Sequence, residues 1–172
     1  IAGNDGNDTI TGGAGVDSLT GGAGNDTYQF YTSDIGVNES ITEAATGGTD
    51  AIAIITTANF SNMTAVSFDE IEEIRFSGAN QTATFTGIQF NSETINITET
   101  TAGTSNLIVN LSAGITADLS GFTASTFTSG TDTLTINGST GAEIITAPNI
   151  ASTIIGGAGN DIYNFNTNDV DS

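Results

Sequence analysis

The chain contains no cysteine, histidine, lysine or tryptophan, only one proline, and a single basic residue, Arg75, against 20 acidic ones. Without cysteine, neither disulfides nor thiolate metal sites can hold the fold. Without histidine, cysteine or lysine, the many serines and threonines have no neighbouring base to activate them, and the chain reads as a non-enzyme. The formal net charge is -19, and nothing inside the chain can neutralise it. Such a balance excludes nucleic acid, whose phosphates need Lys and Arg, and anionic membrane surfaces. The partner it requires is a cation. No apolar run approaches the roughly 18 residues of a membrane span, so no membrane insertion is expected. Residues 1–20 lack the basic and apolar regions of a signal peptide, so any export signal is expected elsewhere in a longer parent protein.

Acidity with few aromatics is also the composition of disordered chains. Patterning argues for folding, because Ile, Leu, Val and Phe alternate with Thr, Ser and Asn as half-buried strands require. With 37% hydrophobic residues there is enough apolar material for a core.

Repetition occurs on two levels. GNDGNDTIT (3–11), GGAGVDSLT (12–20) and GGAGNDTYQ (21–29) follow one another without a gap, and GGAGNDIYN occupies 156–164. Two decayed copies precede the last, GSTGAEIIT (138–146) and APNIASTII (147–155). Residues 1–37 also lie on 136–172 at a constant offset of 135: Ile1 falls on Ile136, Gly6 on Gly141, Asp8 on Glu143, and GGAGND on GGAGND. The chain therefore spans a little more than one unit of a tandem array, and Ile1 sits where the apolar residue of a preceding nonapeptide would be.

Glycines at positions one, two and four of each nonapeptide allow positive φ and a tight curl that turns successive carbonyls inward. Asp at position six adds a carboxylate. These hard oxygen ligands suit a cation that tolerates six to eight of them, Ca²⁺ rather than the more rigid Mg²⁺. The last three residues form a short strand that buries Ile10, Leu19 and Tyr28, or Ile145, Ile154 and Tyr163. Two nonapeptides make one turn of a parallel coil, stacking every second loop about 4.8 Å apart. Two carboxylates at that spacing repel by about 3 kcal/mol at an effective dielectric near 20. An ion between them reverses the sign.

The pattern GGxGxDxUx, with U a large apolar residue, resembles the RTX nonapeptide of bacterial β-roll proteins, strongly over 3–29 and 156–164 and weakly over 138–155. The resemblance implies an all-β parallel β-roll or β-solenoid that binds several Ca²⁺ ions and is secreted in one step. Ca²⁺ is expected between loop 3–8, with Asp8, and loop 21–26, with Asp26. Loop 12–17, with Asp17, is expected to pair with the chain around Thr32 to Asp34. Loop 156–161, with Asp161, faces the decayed loop 138–143, where Glu143 replaces Asp. The metal-ligating positions expected of the turns are Gly3, Asp5, Asp8, Gly12, Ala14, Asp17, Gly21, Gly22, Ala23, Gly24, Asp26, Gly156, Ala158 and Asp161. The stretch SDIGVNESITEAATGGTDAI (33–52) resembles the tail that follows such repeats, which implies Asp34, Glu43 and Asp50 as further ligands. A second GTD at 130–132 adds Asp132 by the same resemblance.

From 51 to 136 apolar residues recur in short alternating runs separated by Gly, Ser, Thr and Asn, which fits a solenoid running through, or else a β-sandwich. FDEIEEIRF (68–76) reads as strand by its β-branched and aromatic ends, and it resembles the IExI strands of bacterial surface-layer proteins. Glu70, Glu72 and Glu73 read as a solvated strand face. The expected organisation is an RTX β-roll over 1–37, a strand-rich solenoid segment over 38–135, and a second RTX β-roll over 136–172.

The expected function is that of a structural module in an extracellular or cell-surface bacterial protein, a surface layer or a large adhesin. Its expected partners are calcium, neighbouring repeats of the same chain, and copies of itself in a lattice or filament. A calcium-binding appendage of an extracellular protease or lipase is the alternative. A Thr-rich face for ice or glycan would want regular TxT ladders, and TATFT (82–86) and TLTI (133–136) are too scattered.

Overall fold

The computed structural model describes residues 1–44, 47–63, 68–90, 93–128 and 130–166; the end of the second RTX segment, 167–172, lies outside them. Short strands dominate the described residues, with two single-turn 3₁₀ segments at Phe60–Asn62 and Gly87–Phe90. No helix among them is long and apolar enough to cross a membrane.

Every strand pairing among the described residues is parallel, so they wind as a β-coil, and the middle is solenoid rather than sandwich. The first sheet stacks Ala2–Asp5, Ser18–Ala23 and Ser40–Thr42. Facing it, the second sheet begins with Thr9–Ile10, Thr27–Phe30 and Ala51–Ile54, then continues through Glu73–Phe76, Asn96–Glu99 and Thr123–Ala124. A third sheet takes over the opposite face along the middle, running from Ala58–Asn59 through Thr82–Thr86, Asn106–Asn110 and Thr133–Asn137 to Thr153–Ile155. The fourth sheet, Thr116–Asp118, Ile144–Thr146 and Ile162–Asn164, closes the C-terminal coils.

Coil length follows the sequence. Where nonapeptides are present, Thr9 lies on Thr27 and Ile144 on Ile162, an 18-residue rise per turn, which is two nonapeptides. Outside them the turns lengthen: Ala51 lies on Glu73, 22 residues on, and Asn106 on Thr133, 27 residues on. The extra residues go into loops, while the strands keep one register.

That register is held by stacked inward side chains. Tyr28, Ile52, Ile74 and Ile97 lie over one another in the second sheet, and Ala83, Leu107 and Leu134 in the third, all essentially inaccessible. Each fully buried Ile, Leu or Phe contributes about 1.5–3 kcal/mol, and a slip of one residue would expose a whole row. In the wider middle coils aromatic rings fill the added volume: Phe60 stacks on Phe85 at 4.4 Å and 1°, and Phe68 meets Phe85 edge-on at 5.7 Å.

Candidate metal centre

Loops 3–8 and 21–26 pass from the first sheet to the second, and the next coil likewise goes from Ser40–Thr42 in the first sheet to Ala51–Ile54 in the second, so Asp8, Asp26 and Asp50 fall on one long edge of the coil. Register then dictates which carboxylates meet. Thr9, Thr27, Ala51 and Glu73 lie over one another, and the residues just before them are Asp8, Asp26, Asp50 and Glu72. Each rung is tied to the next by its carboxylate. Oδ1 of Asp26 accepts from the N–H of Asp8 at 2.7 Å, Oδ1 of Asp50 from the N–H of Asp26 at 2.7 Å, and Oε2 of Glu72 from the N–H of Asp50 at 2.8 Å. Glu72 is therefore not part of a solvated face, as its strand pattern suggested. It extends the ladder one coil beyond the repeats.

Two of this ladder's oxygens are buried without a protein partner. Oδ2 of Asp8 and Oδ2 of Asp26 are buried and accept no hydrogen bond. Glu43 reaches the same place from the following coil, where its oxygens accept from the N–H groups of Gly21 at 3.1 Å and Gly22 at 3.2 Å, and from the Tyr28 hydroxyl. One carboxylate oxygen each of Asp26, Glu43 and Asp50 lie within 4.8 Å of one another. Burial pushes the Glu43 and Asp50 carboxyls up, with Asp50 and Asp26 adding to the rise at Glu43, and Glu72, Asp26 and Glu70 at Asp50. Arg75, the chain's one basic side chain, is paired with Glu73 instead.

The turns leave space for these oxygens only because they are glycine. A Cβ on Gly21 would overlap Oδ2 of Asp26 and Oε1 of Glu43, and one on Gly3 would overlap Oδ2 of Asp8. Gly22 and Gly24 have φ of 114° and 126°, and a Cβ there would run into the carbonyl oxygens of Asn4 and Gly6 in the coil below. Orphaned carboxylate oxygens, close carbonyls and a cradle that any side chain would fill are the donor set of a hard divalent cation, so Ca²⁺ fits these residues.

Ala23 O accepts from the N–H of Gly6 at 2.6 Å, while the Asp5 side chain is exposed. On the opposite edge, loop 12–17 faces loop 31–39, with Ala14 exposed and Gly12 against the Asp17 carboxylate. Asp34 does not lie in register with Asp17. Its carboxylate closes a local turn, accepting from the Tyr31 N–H at 3.1 Å and the Ser33 hydroxyl at 3.0 Å.

At the C-terminal coils Asp161 lies in register with Glu143, and its Oδ1 accepts from the Glu143 N–H at 3.1 Å. A Cβ on Gly156 would overlap Oδ2 of Asp161 and the Tyr163 hydroxyl, repeating the cradle of Gly21. Ala158 donates its N–H to Ser139 O at 2.9 Å. Glu143 differs from the N-terminal aspartates because its oxygens are satisfied: they accept from the Ser139 N–H at 3.0 Å, the Ser139 hydroxyl at 2.7 Å and the Gly114 N–H at 3.1 Å. Those hydrogen bonds, Ser139 foremost, hold its carboxyl below the usual range. Asp132 is likewise satisfied on its own, accepting from Ser105 N–H at 2.8 Å and Thr128 N–H at 2.6 Å.

The model of the RTX calcium-binding nonapeptide repeat matches four copies in this chain, over residues 1–28 and 137–169. The chain carries RTX repeats. No curated protein and no solved structure matches it. In the RTX turns an aspartate and its glycines recur at a fixed place, which the sequence displays openly. Glu72 and Glu39, each directly before a strand in the slot of a repeat aspartate, carry no glycine signature and were visible only as acids preceding an apolar alternation.

Proposed function

We propose that this chain is a calcium-dependent structural module of a secreted or cell-surface bacterial protein, and that it has no catalytic role. The observation that carries the reading is the convergence of Asp26, Glu43 and Asp50 on one edge, with a buried oxygen of Asp26 lacking any partner. Three carboxylates with no facing cation disfavour the coil; a bound Ca²⁺ makes the same oxygens attractive. Asp8, Asp26, Glu43 and Asp50 would hold ions along the first edge together with turn carbonyls, and Asp161 would do so at the second RTX segment. Ca²⁺ supplies charge neutralisation and oxygen coordination there, which stiffens the stack of turns.

The proposed organisation is an RTX β-roll over 1–37, a solenoid segment over 38–135 and a second RTX β-roll from 136. Extracellular modules of this kind bind at about 10⁻⁴ to 10⁻³ M, so the chain would remain unfolded in a low-calcium cytoplasm and fold outside the cell. The 135-residue repetition favours a link in a surface layer or large adhesin over an appendage of an extracellular protease or lipase. Circular dichroism with millimolar Ca²⁺ and with chelator tests the core of the reading. Strand signal should appear with calcium and collapse without it, and an unchanged spectrum in chelator would defeat the proposal.

A further inference from the structure

The loops at the other edge, 12–17 and 31–39, run from the second sheet back to the first, and only the lower of them belongs to a repeat. Ser18 lies on Ser40, so Asp17 lies beneath Glu39, and the Ser40 N–H donates to Asp17 O at 3.0 Å. Glu39 is completely inaccessible to solvent. Its Oε2 accepts from the Gly36 N–H at 2.9 Å, but its Oε1 has no hydrogen-bond partner. An ionised carboxylate in that position is expensive unless something positive meets it.

The surroundings supply more negative charge. Burial pushes the Glu39 carboxyl up, with Asp17 and Asp34 adding to the rise. The glycine cradle recurs as well: a Cβ on Gly36 would run into Gly15 O, and one on Gly12 would sit 2.9 Å from Oδ2 of Asp17. This is the architecture of the first edge, with a carboxylate from outside the repeats in the upper position.

We infer that Glu39 and Asp17, flanked by Asp34, form a further divalent-cation site that takes Ca²⁺ and clamps loop 31–39 and strand Ser40–Thr42 onto RTX turn 12–17. The inference rests on the calcium-binding reading above, and it adds a site at which a non-repeat glutamate joins the roll to the solenoid. The site on the first edge uses Glu43, four residues on, so Glu39 and Glu43 flank one short strand and direct it to opposite edges. The strand is pinned from both sides when both ions are bound.

Isothermal titration of the chelator-treated chain with CaCl₂ alone, comparing wild type, E39Q and E43Q, decides the matter. E39Q should bind one ion fewer while keeping the ion that E43Q loses, and the double variant should lose two. Hydrogen exchange should show calcium-dependent protection of the Ser40 and Ile41 amides that E39Q weakens. If E39Q does not fold in saturating calcium, D17N, altering a half-exposed side chain, should show the same loss of one ion. Wild-type stoichiometry in E39Q, or in D17N where that variant is the one read, would overturn this inference alone. No calcium uptake by the wild type would overturn the functional reading beneath it too.

Discussion

The N–H of Asp26 donates to Oδ1 of Asp50 one coil above at 2.7 Å, and this rung places two carboxylates in register although 24 residues separate them. Asp26 thereby uses its backbone to secure the acid above it, while its own Oδ2 is left for a ligand. The same element serves both the fold and the site.

Replacing Asp26 by Asn keeps an oxygen for the Asp8 N–H, removes the charge and turns the free Oδ2 into an amide nitrogen that cannot ligate a cation. D26N should weaken the tightest calcium binding at least tenfold, about 1.4 kcal/mol, and raise the calcium concentration at the folding midpoint. Titration followed by circular dichroism measures both. A midpoint equal to wild type would remove Asp26 from the site.

Gly21→Ala tests the cradle without touching charge. Its Cβ would overlap Oδ2 of Asp26 and Oε1 of Glu43, so G21A should match D26N in lost calcium affinity. Ala at Gly13, where a Cβ meets nothing but φ is 85°, should cost stability through backbone strain while the Asp26 site keeps its affinity.

Acid should act in opposite directions with and without calcium. The folded pKa values of Glu43 and Asp50 are raised from their ordinary 4.5 and 3.8, chiefly by burial. In chelator the folded state therefore binds more protons than the unfolded one, so these groups favour folding below their ordinary values and lose that effect as pH rises through the raised ones. Acidifying the calcium-free chain to about pH 4 should thus recover strand signal from these two groups. In calcium, protons compete with the ion for the same oxygens, and acidification should weaken binding. Glu143, lowered by Ser139, opposes the first trend, since its contribution is lost as pH falls. Far-ultraviolet circular dichroism across pH 3–8, with and without calcium, reads the crossing.

The middle coils should behave as an ordinary apolar core. Phe85 lies face to face with Phe60 at 4.4 Å and is fully buried. F85A should cost about 3–5 kcal/mol in saturating calcium, measured by chemical denaturation, with calcium stoichiometry unchanged.

Much of this was legible in advance. Alternating apolar residues specify strands wherever they occur, and contiguous nonapeptides specify 18-residue turns because each copy carries its own glycines. Asp8, Asp26 and Asp161 stood out for that reason, and the acids Glu43 and Asp50 through the resemblance of 33–52 to the tail that follows such repeats. Asp34 was matched to Asp17 by proximity in sequence, whereas the loop folds Asp34 into a local turn and carries Glu39 to the register position. Glu72 was misread because a strand pattern does not reveal what lies one coil below.

By itself, then, the sequence determined short alternating strands, glycine turns that carry carboxylates, and a charge that only an external cation can offset, while the parallel coil followed from the RTX resemblance. The first three follow from local conformational freedom, period-two patterning and arithmetic. Which acids share a site was decided by the tertiary structure alone. Between Asp26 and Asp50, or Asp17 and Glu39, the chain crosses loops of unequal length, and the packing of Tyr28 on Ile52 and Leu19 on Ile41, not any motif, sets where those loops return.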